Sequence, residues 1–218
     1  MKVARTFWHI HCQFGWTAAF AWVVDRLAVK IVHLELNRLF WLEVEQLGQM
    51  PAAPDDLECR FLSAQEIRAF AQEPANDLSA DMAERIERGR DFCFAVLDHG
   101  KLATYCWFAV ETIEAEHNGG AALSLPPDVS YVYKAYTLPA FRGQRLDGMA
   151  KSLAFRALAE RGIRKLVATV QWTNWPSLRS MRRMGFAELG FMYVIGPRRW
   201  SWRHYPKKAV LKGIKFQI

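Results

Sequence analysis

After Glu188 the sequence has no acidic residue. Arg198, Arg199, Arg203, Lys207, Lys208, Lys212 and Lys215 follow it, and these seven account for the whole formal net charge of +7 over 218 residues. Two readings fit a terminus with charge of one sign: a solvated basic strand and tail, or a surface for phosphates of lipid headgroups, nucleic acid or a nucleotide. The tail holds no recognisable nucleic-acid reader motif, so nucleic acid is the weakest of these partners. Cysteine is scarce too. Cys12, Cys59, Cys93 and Cys106 are well separated and form no C-x-x-C pair, which argues against a disulfide framework or a metal site and makes a reducing cytoplasm the simplest setting. Cys93 and Cys106 sit in apolar strand-like runs, where a buried thiol is expected. Internal repeats and low-complexity tracts are also missing. What is present, 51% hydrophobic and 23% charged residues, suffices for one globular domain with a full core plus an appendage.

From Thr6 to Val24 no residue carries a formal charge when the histidines are neutral, and the stretch includes Phe7, Trp8, Phe14, Trp16, Phe20 and Trp22. It is interrupted by His9, His11, Gln13, Gly15 and Thr17, which a membrane-spanning helix of ~20 residues would carry at some cost. Lys2 and Arg5 precede the apolar run as they would in a secretory leader. No small-x-small cleavage site with a polar start follows, and a helical pattern continues from Asp25 to Leu47. Val29, Val32, Leu36, Phe40 and Leu47 recur at helical spacing, with Lys30, His33 and Asn37 elsewhere on the wheel. Residues 1–50 therefore read as an aromatic-rich helical arm. It either packs on its own domain or on a second subunit of a homodimer, or lies at an anionic membrane surface with its tryptophans at headgroup depth. Met50-Pro-Ala-Ala-Pro-Asp-Asp56 reads as a linker, which sets the boundary between the arm and a domain over residues 51–218.

Within that domain, Leu57 to Leu62 reads as a strand, and Ser63-Ala-Gln-Glu66 as a capping-box start to a helix ending near Gln72. A second helix runs from Ser79 to about Arg88 and stops at Gly89. Phe92 to Leu97 and Leu102 to Val110 are strands joined by the hairpin turn Asp98-His99-Gly100. A loop from Glu111 to Pro127 leads to the centre of the chain. There Val129 to Leu138 is rich in β-branched and aromatic residues, the glycine-bearing basic turn Pro139-Ala-Phe-Arg-Gly-Gln-Arg-Leu-Asp-Gly148 follows, and Ala150, Leu153, Ala154, Ala157 and Leu158 mark a helix stopped by Gly162. A strand, a short basic turn and a helix together can aim backbone N–H groups and a helix N-terminus at an anion. Arg164 to Gln171 reads as a buried strand. A helix capped by Asn174 and ended by Gly185 comes next, then a last hairpin from Phe186 to His204.

At these residues the chain resembles the GNAT superfamily of acyl-CoA-dependent N-acyltransferases. Asn174, Ser177, Met184, Gly185 and Phe186 match that family's second motif at its usual spacing, and Pro139, Phe141, Arg142 and Gly143 match the approach to its CoA-binding turn. In the ungapped frame from Arg142, the family's two later glycines are replaced by Arg145 and Asp147. A frame shifted by three residues fits formally but moves the turn into helix. The resemblance implies an α/β fold, with a mixed, mainly antiparallel twisted sheet flanked by helices and here preceded by the helical arm. It implies acetyl-CoA or another acyl-CoA as co-substrate, and a small-molecule or lipid-linked amine as acceptor.

The resemblance also assigns roles. Arg142, Gly143, Gln144, Arg145, Leu146, Asp147 and Gly148 would hold the pyrophosphate, with Asn174 and Met181 nearby on the second motif. The backbone of Tyr136, Thr137 and Leu138 would hold the pantetheine arm and polarise the thioester. A carboxylate at Asp147 repels phosphate unless it caps the helix or is paired. Many family members place an acidic tyrosine where this chain has Met181, which has no proton to give. For a base, Glu111, His117, Tyr133 and Tyr136 qualify by chemistry alone. Two other classes stay open: a protein that binds acyl-CoA without turnover, and one that binds nucleic acid through the basic tail. A peripheral position on the inner face of the membrane is compatible with the first reading.

Overall fold

The structure is a computed structural model and describes residues 2–48, 54, 56–113, 122–196 and 201–217. Two helices open the chain, α1 (Lys2–Phe14) and α2 (Trp16–Val32), joined at Gly15. Strand β1 (Glu35–Glu43) follows, then β2 (Leu57–Phe61), α3 (Ala64–Phe70), α4 (Met82–Glu87), β3 (Asp91–Asp98) and β4 (Lys101–Val110). Short strands β5 (Thr112–Ile113) and β6 (Ala122–Ser124) precede the central unit of β7 (Val129–Thr137), α5 (Leu146–Ala159), β8 (Lys165–Gln171) and α6 (Trp175–Met184). The chain ends in β9 (Ala187–Ile195), β10 (Trp202–His204), α7 (Lys207–Leu211) and β11 (Lys215–Gln217). Eight strands form one sheet in the order β10-β9-β1-β8-β7-β4-β3-β2, and every pairing except β7 with β8 is antiparallel. The mixed, mainly antiparallel α/β architecture is the one expected.

One face of the sheet is covered by α5 and α6, whose Leu146, Phe155, Leu178 and Met181 pack on Phe40, Phe94, Phe108 and Ala168. The other face divides. Helices α3 and α4 cover Tyr105 and Trp107, while the small sheet β11-β6-β5 and α7 cover Leu39, Trp41 and Tyr131. Local signals set the ends of these elements. The Ser63 hydroxyl accepts from the Glu66 N–H and the Glu66 carboxylate from the Ser63 N–H, the reciprocal cap that starts α3. At the end of α6, Gly185 has φ +92°, and a Cβ there would lie 2.4 Å from the Gln46 carbonyl oxygen, so glycine is required twice over.

Two expectations are corrected. The helix foreseen from Asp25 to Leu47 stops at Val32, and Leu36 and Phe40 belong to β1. That strand lies inside the sheet with both faces covered, so Leu39, Phe40, Trp41 and Leu42 are all buried; such a strand loses its alternation and fits a helical period equally well. Strands β1 and β2 share one sheet, so residues 35–43 stand in the same sheet as the strands that follow residue 56; the expected linker lies mostly outside the described residues. The basic terminus is likewise no free tail. β11 pairs with β6, and Ala209 and Ile214 are fully buried under the second sheet, with Lys207, Lys208, Lys212 and Lys215 exposed around them. Arg198 and Arg199 lie outside the described residues.

Candidate functional site

Strands β7 and β8 run parallel and pair from Val129 with Lys165 to Val132 with Ala168, and no further. Beyond that point β7 stays with β4 as far as Thr104 opposite Thr137, and β8 stays with β1 as far as Gln171 opposite Asn37. The two strands part, and an opening lies between their C-terminal halves. Its cause is local: the β4–β7 register slips where Trp107 faces Lys134 and Phe108 faces Val132, so Tyr133 is an extra, bulged residue at the point of divergence. The carboxyl end of a parallel strand pair is where such sheets present ligand sites.

Backbone alternation decides which groups face this opening. The Leu138 N–H donates to the Ala103 carbonyl, and the Tyr136 carbonyl accepts from Thr104 Oγ1 at 3.0 Å, so Tyr136 and Leu138 turn toward β4. Ala135 and Thr137 therefore turn their N–H and C=O groups toward the opening. Of the three backbone positions expected to grip a pantetheine arm, only Thr137 turns its main chain to the opening; Ala135 joins it, and Tyr136 and Leu138 turn theirs toward β4.

Directly after β7, Pro139–Phe141 forms a short 3₁₀ turn, and Arg142, Gly143, Gln144 and Arg145 are exposed. Arg142 turns back, its Nε donating to the Thr137 carbonyl at 3.1 Å and its guanidinium 5.7 Å from the Tyr136 ring centre. Arg145 has φ +62° and ψ +18° and caps α5. That is the left-handed conformation glycine adopts freely, and it falls at the position where the ungapped frame expects a glycine. Helix α5 begins at Leu146, which places Gly148 and Ala150 within it and leaves the shifted frame without a turn. Leu146 and Gly148 are buried; of the first helical turn they offer backbone only. Asp147 does not cap the helix. Its Oδ1 accepts from the buried Lys151 Nζ at 2.5 Å and its Oδ2 from Ser180 Oγ on α6 at 3.1 Å, so its charge is paired away from the exposed turn.

The second motif lies on the other side of the opening, where β8 runs into α6. Asn174 Oδ1 accepts from the Ser177 N–H, as an N-cap should. Met181 is buried in the core between α6 and the sheet. It cannot supply a proton, and Ser180 beside it is bonded to Asp147.

Among the proposed bases, the structure separates three. Glu111 follows Val110, which pairs with Ser130 at the closed end of β7, so it is not brought to the opening. Tyr133 is near the opening, yet its hydroxyl donates to Asp91 Oδ2 at 2.6 Å, and Asp91 also receives Arg85 Nε at 2.6 Å. Burial, and then the Asp91 carboxylate, push the Tyr133 phenol well above its usual range; a phenol held protonated in this way is not a base at neutral pH. Tyr136 remains at the rim, half-buried, its ring 6.0 Å from that of Tyr105. His117 lies outside the described residues.

Sequence reasoning missed two features. The Arg85–Asp91–Tyr133 cluster joins residues far apart in sequence, and no local pattern announces it. The other is Asp25, the only acidic residue before Glu35, and its isolation in an apolar helix was a readable signal. It is 5% exposed, with Oδ2 accepting from Gln171 Nε2 at 2.7 Å and Oδ1 from Trp172 Nε1 at 2.6 Å. The arm is thereby tied to the end of β8, and Phe14 stacks on Trp175 with ring centres 6.5 Å apart. Between the arm, the end of β8 and the start of α6 lies a cleft of about 480 Å³, bordered by His9, Gln13, Trp22, Asn174 and Trp175.

No family model and no curated protein matches the chain. Solved structures do. A Drosophila protein superposes with a TM-score of 0.54 at 18% identity, over 86% of this chain and 58% of its own. An acetyltransferase of the GNAT family from Colwellia psychrerythraea gives 0.53 at 12% identity, over 79% and 57%. A GCN5-related N-acetyltransferase from Kribbella flavida gives 0.50 at 16%, over 81% and 63%. The chain thus spans roughly three fifths of the length of each of these structures. The parted parallel strands, the turn into α5 and the capped α6 are arranged in the fold of the GNAT superfamily, and that is the fold of this protein.

Proposed function

We propose that the protein transfers an acyl group from acyl-CoA to an amine. The observation that carries this reading is the opening between β7 and β8, with an exposed basic turn and the N-terminus of α5 at its mouth. The residues present suit a CoA thioester. The Ala135 backbone and the Thr137 N–H are offered to an extended amide-bearing arm, the Thr137 carbonyl being held by Arg142, and the first turn of α5 favours a pyrophosphate by ~0.3–1 kcal/mol. Arg142 and Arg145 add charge, and Asp147 is paired away from the exposed turn. The donor supplies an activated carbonyl; the amine nitrogen attacks its carbon, the C–S bond breaks, the thiolate takes a proton and the new ammonium loses one. Met181 cannot give that proton, and the proton the ammonium loses balances the one the thiolate takes. Tyr136 at the rim is the residue best placed to meet the acceptor.

Incubation with acetyl-CoA and longer acyl-CoAs against a panel of amines, followed by thiol release, tests this. Release that depends on the amine and falls at least tenfold in Arg142→Glu supports transfer. Saturable acyl-CoA binding without release from any amine would instead support a binding protein, the reading favoured by the buried methionine at the family's acid position.

A further inference from the structure

The arm carries an apolar face that the described residues leave largely exposed, Trp16 at its start meeting the rings of His11 and Phe7. Along α2, Trp16, Phe20, Val24, Leu27 and Ile31 stand at i, i+4, i+8, i+11 and i+15, one side of a helix. Their exposures are 63, 68, 40, 53 and 74%. The opposite side holds Ala18, Ala19 and Asp25, all buried, with Asp25 bonded to Gln171 and Trp172, so the rotation of α2 about its axis is fixed. Past the end of α2 the strip continues: the Gly196 N–H donates to the Val32 carbonyl, and Ile195 pairs with Trp202, itself 77% exposed.

The two helices are themselves basic at their surface. Arg5, Arg26 and Lys30 are exposed, Lys30 nearer the strip and Arg26 stacked over Trp22, and the sole carboxylate of the two helices is the buried Asp25; the next acid, Glu35, is exposed just past the end of α2. Helix α6 adds Arg179, Arg182 and Arg183 on its outer side; the Arg179 guanidinium lies 4.9 Å from the ring centre of Phe14, and Arg182 reaches Glu188 at 3.9 Å. Among the described residues, no helix is long and apolar enough to cross a membrane. The 17 residues of α2 would extend about 25 Å.

We propose that this face docks on an anionic lipid bilayer, with α2 lying in the plane of the interface, its aromatic and aliphatic strip among the acyl chains and its bases at the headgroups. Apolar area and basic charge on one helix are the two ingredients such binding requires. A second copy of the chain is the competing occupant, and sedimentation separates it from the bilayer. The inference stands apart from acyl transfer, since it is read by lipid binding alone.

Flotation of the full chain with vesicles of two parts phosphatidylcholine to one part phosphatidylglycerol, and with phosphatidylcholine alone, tests it. The chain should float with the anionic vesicles only and be released by salt. The double variant Phe20→Ser/Leu27→Ser should lose at least tenfold in partitioning, and Arg26→Gln and Lys30→Gln about fivefold each, with circular dichroism unchanged in all. A wild-type chain that stays with the pellet, or floats equally with neutral vesicles, overturns the proposal. So does sedimentation showing a dimer that Phe20→Ser/Leu27→Ser dissociates while vesicle binding is unaffected.

Discussion

Strand β4 and helix α2 are both rich in aromatic residues, and the fold treats them in opposite ways. Tyr105, Trp107 and Phe108 of β4 are completely buried, sandwiched between α5 on one face and α3 and α4 on the other, while Trp16 and Phe20 of α2 are more than three-fifths exposed. Composition does not separate the two regions. What differs is the number of covered faces: a central strand is enclosed on both, whereas α2 is held along one edge by Asp25 and the two buried alanines. Aromatics in β4 are therefore expected to govern stability, and those of α2 to govern what the protein touches.

The largest expected effect separates these roles. Phe108→Ala should cost about 3–5 kcal/mol in denaturant unfolding, as truncation of a buried ring does. Phe20→Ala should stay within about 0.5 kcal/mol of wild type, as exposed positions do. A loss at Phe20 comparable to that at Phe108 would mean that the outer face of α2 is core. Next is Asp25→Ala, which strips the acceptor from the Trp172 indole and the Gln171 amide and should cost about 1–3 kcal/mol. Its mark should be local: limited proteolysis should cleave near His33 and Leu34 well before the sheet unfolds.

Arg145→Gly should raise stability by about 1 kcal/mol, because it removes the strain of a side chain in the left-handed region. A destabilised variant would contradict the turn geometry. The smallest effect concerns pH. The Ser63 backbone bond lowers the Glu66 carboxyl below its ordinary 4.5, helped by the Ser63 hydroxyl and Arg60. A lowered native value means that the stabilisation is complete above about 4.5, where the unfolded group is also ionised, and is lost as the pH falls through the native value. Glu66→Gln should therefore melt below wild type at neutral pH, by about half a kcal/mol for an exposed cap, and the gap should close in acid.

The reach of sequence reasoning follows the same division. Elements bounded by chemistry that acts over a few residues were legible: the Ser63–Glu66 box, the Asn174 cap, the Gly185 stop and the strand–turn–helix around Arg142. β1 was not, because Leu39 to Leu42 is a run without alternation whose partners, β8 and β9, come more than a hundred residues later. The terminus was misjudged for a related reason: its charges are conspicuous, while Ala209 and Ile214, which hold it down, are individually unremarkable apolar residues. At the site, the motif located the turn and the cap, but which backbone groups face the opening depends on the pairing of β7 with β4. The bulge at Tyr133 and its contact with Asp91 depend on strand register as well.

The account turns on acyl-CoA entering between β7 and β8 above the Arg142–Arg145 turn. Titration calorimetry of the folded protein with CoA, acetyl-CoA and a longer acyl-CoA tests this most directly. Saturable binding at one site, weakened at least tenfold by Arg142→Glu and unchanged by Phe20→Ser on the arm, is the predicted result. Absence of heat with every acyl-CoA at millimolar concentration, or binding indifferent to Arg142→Glu, would contradict it.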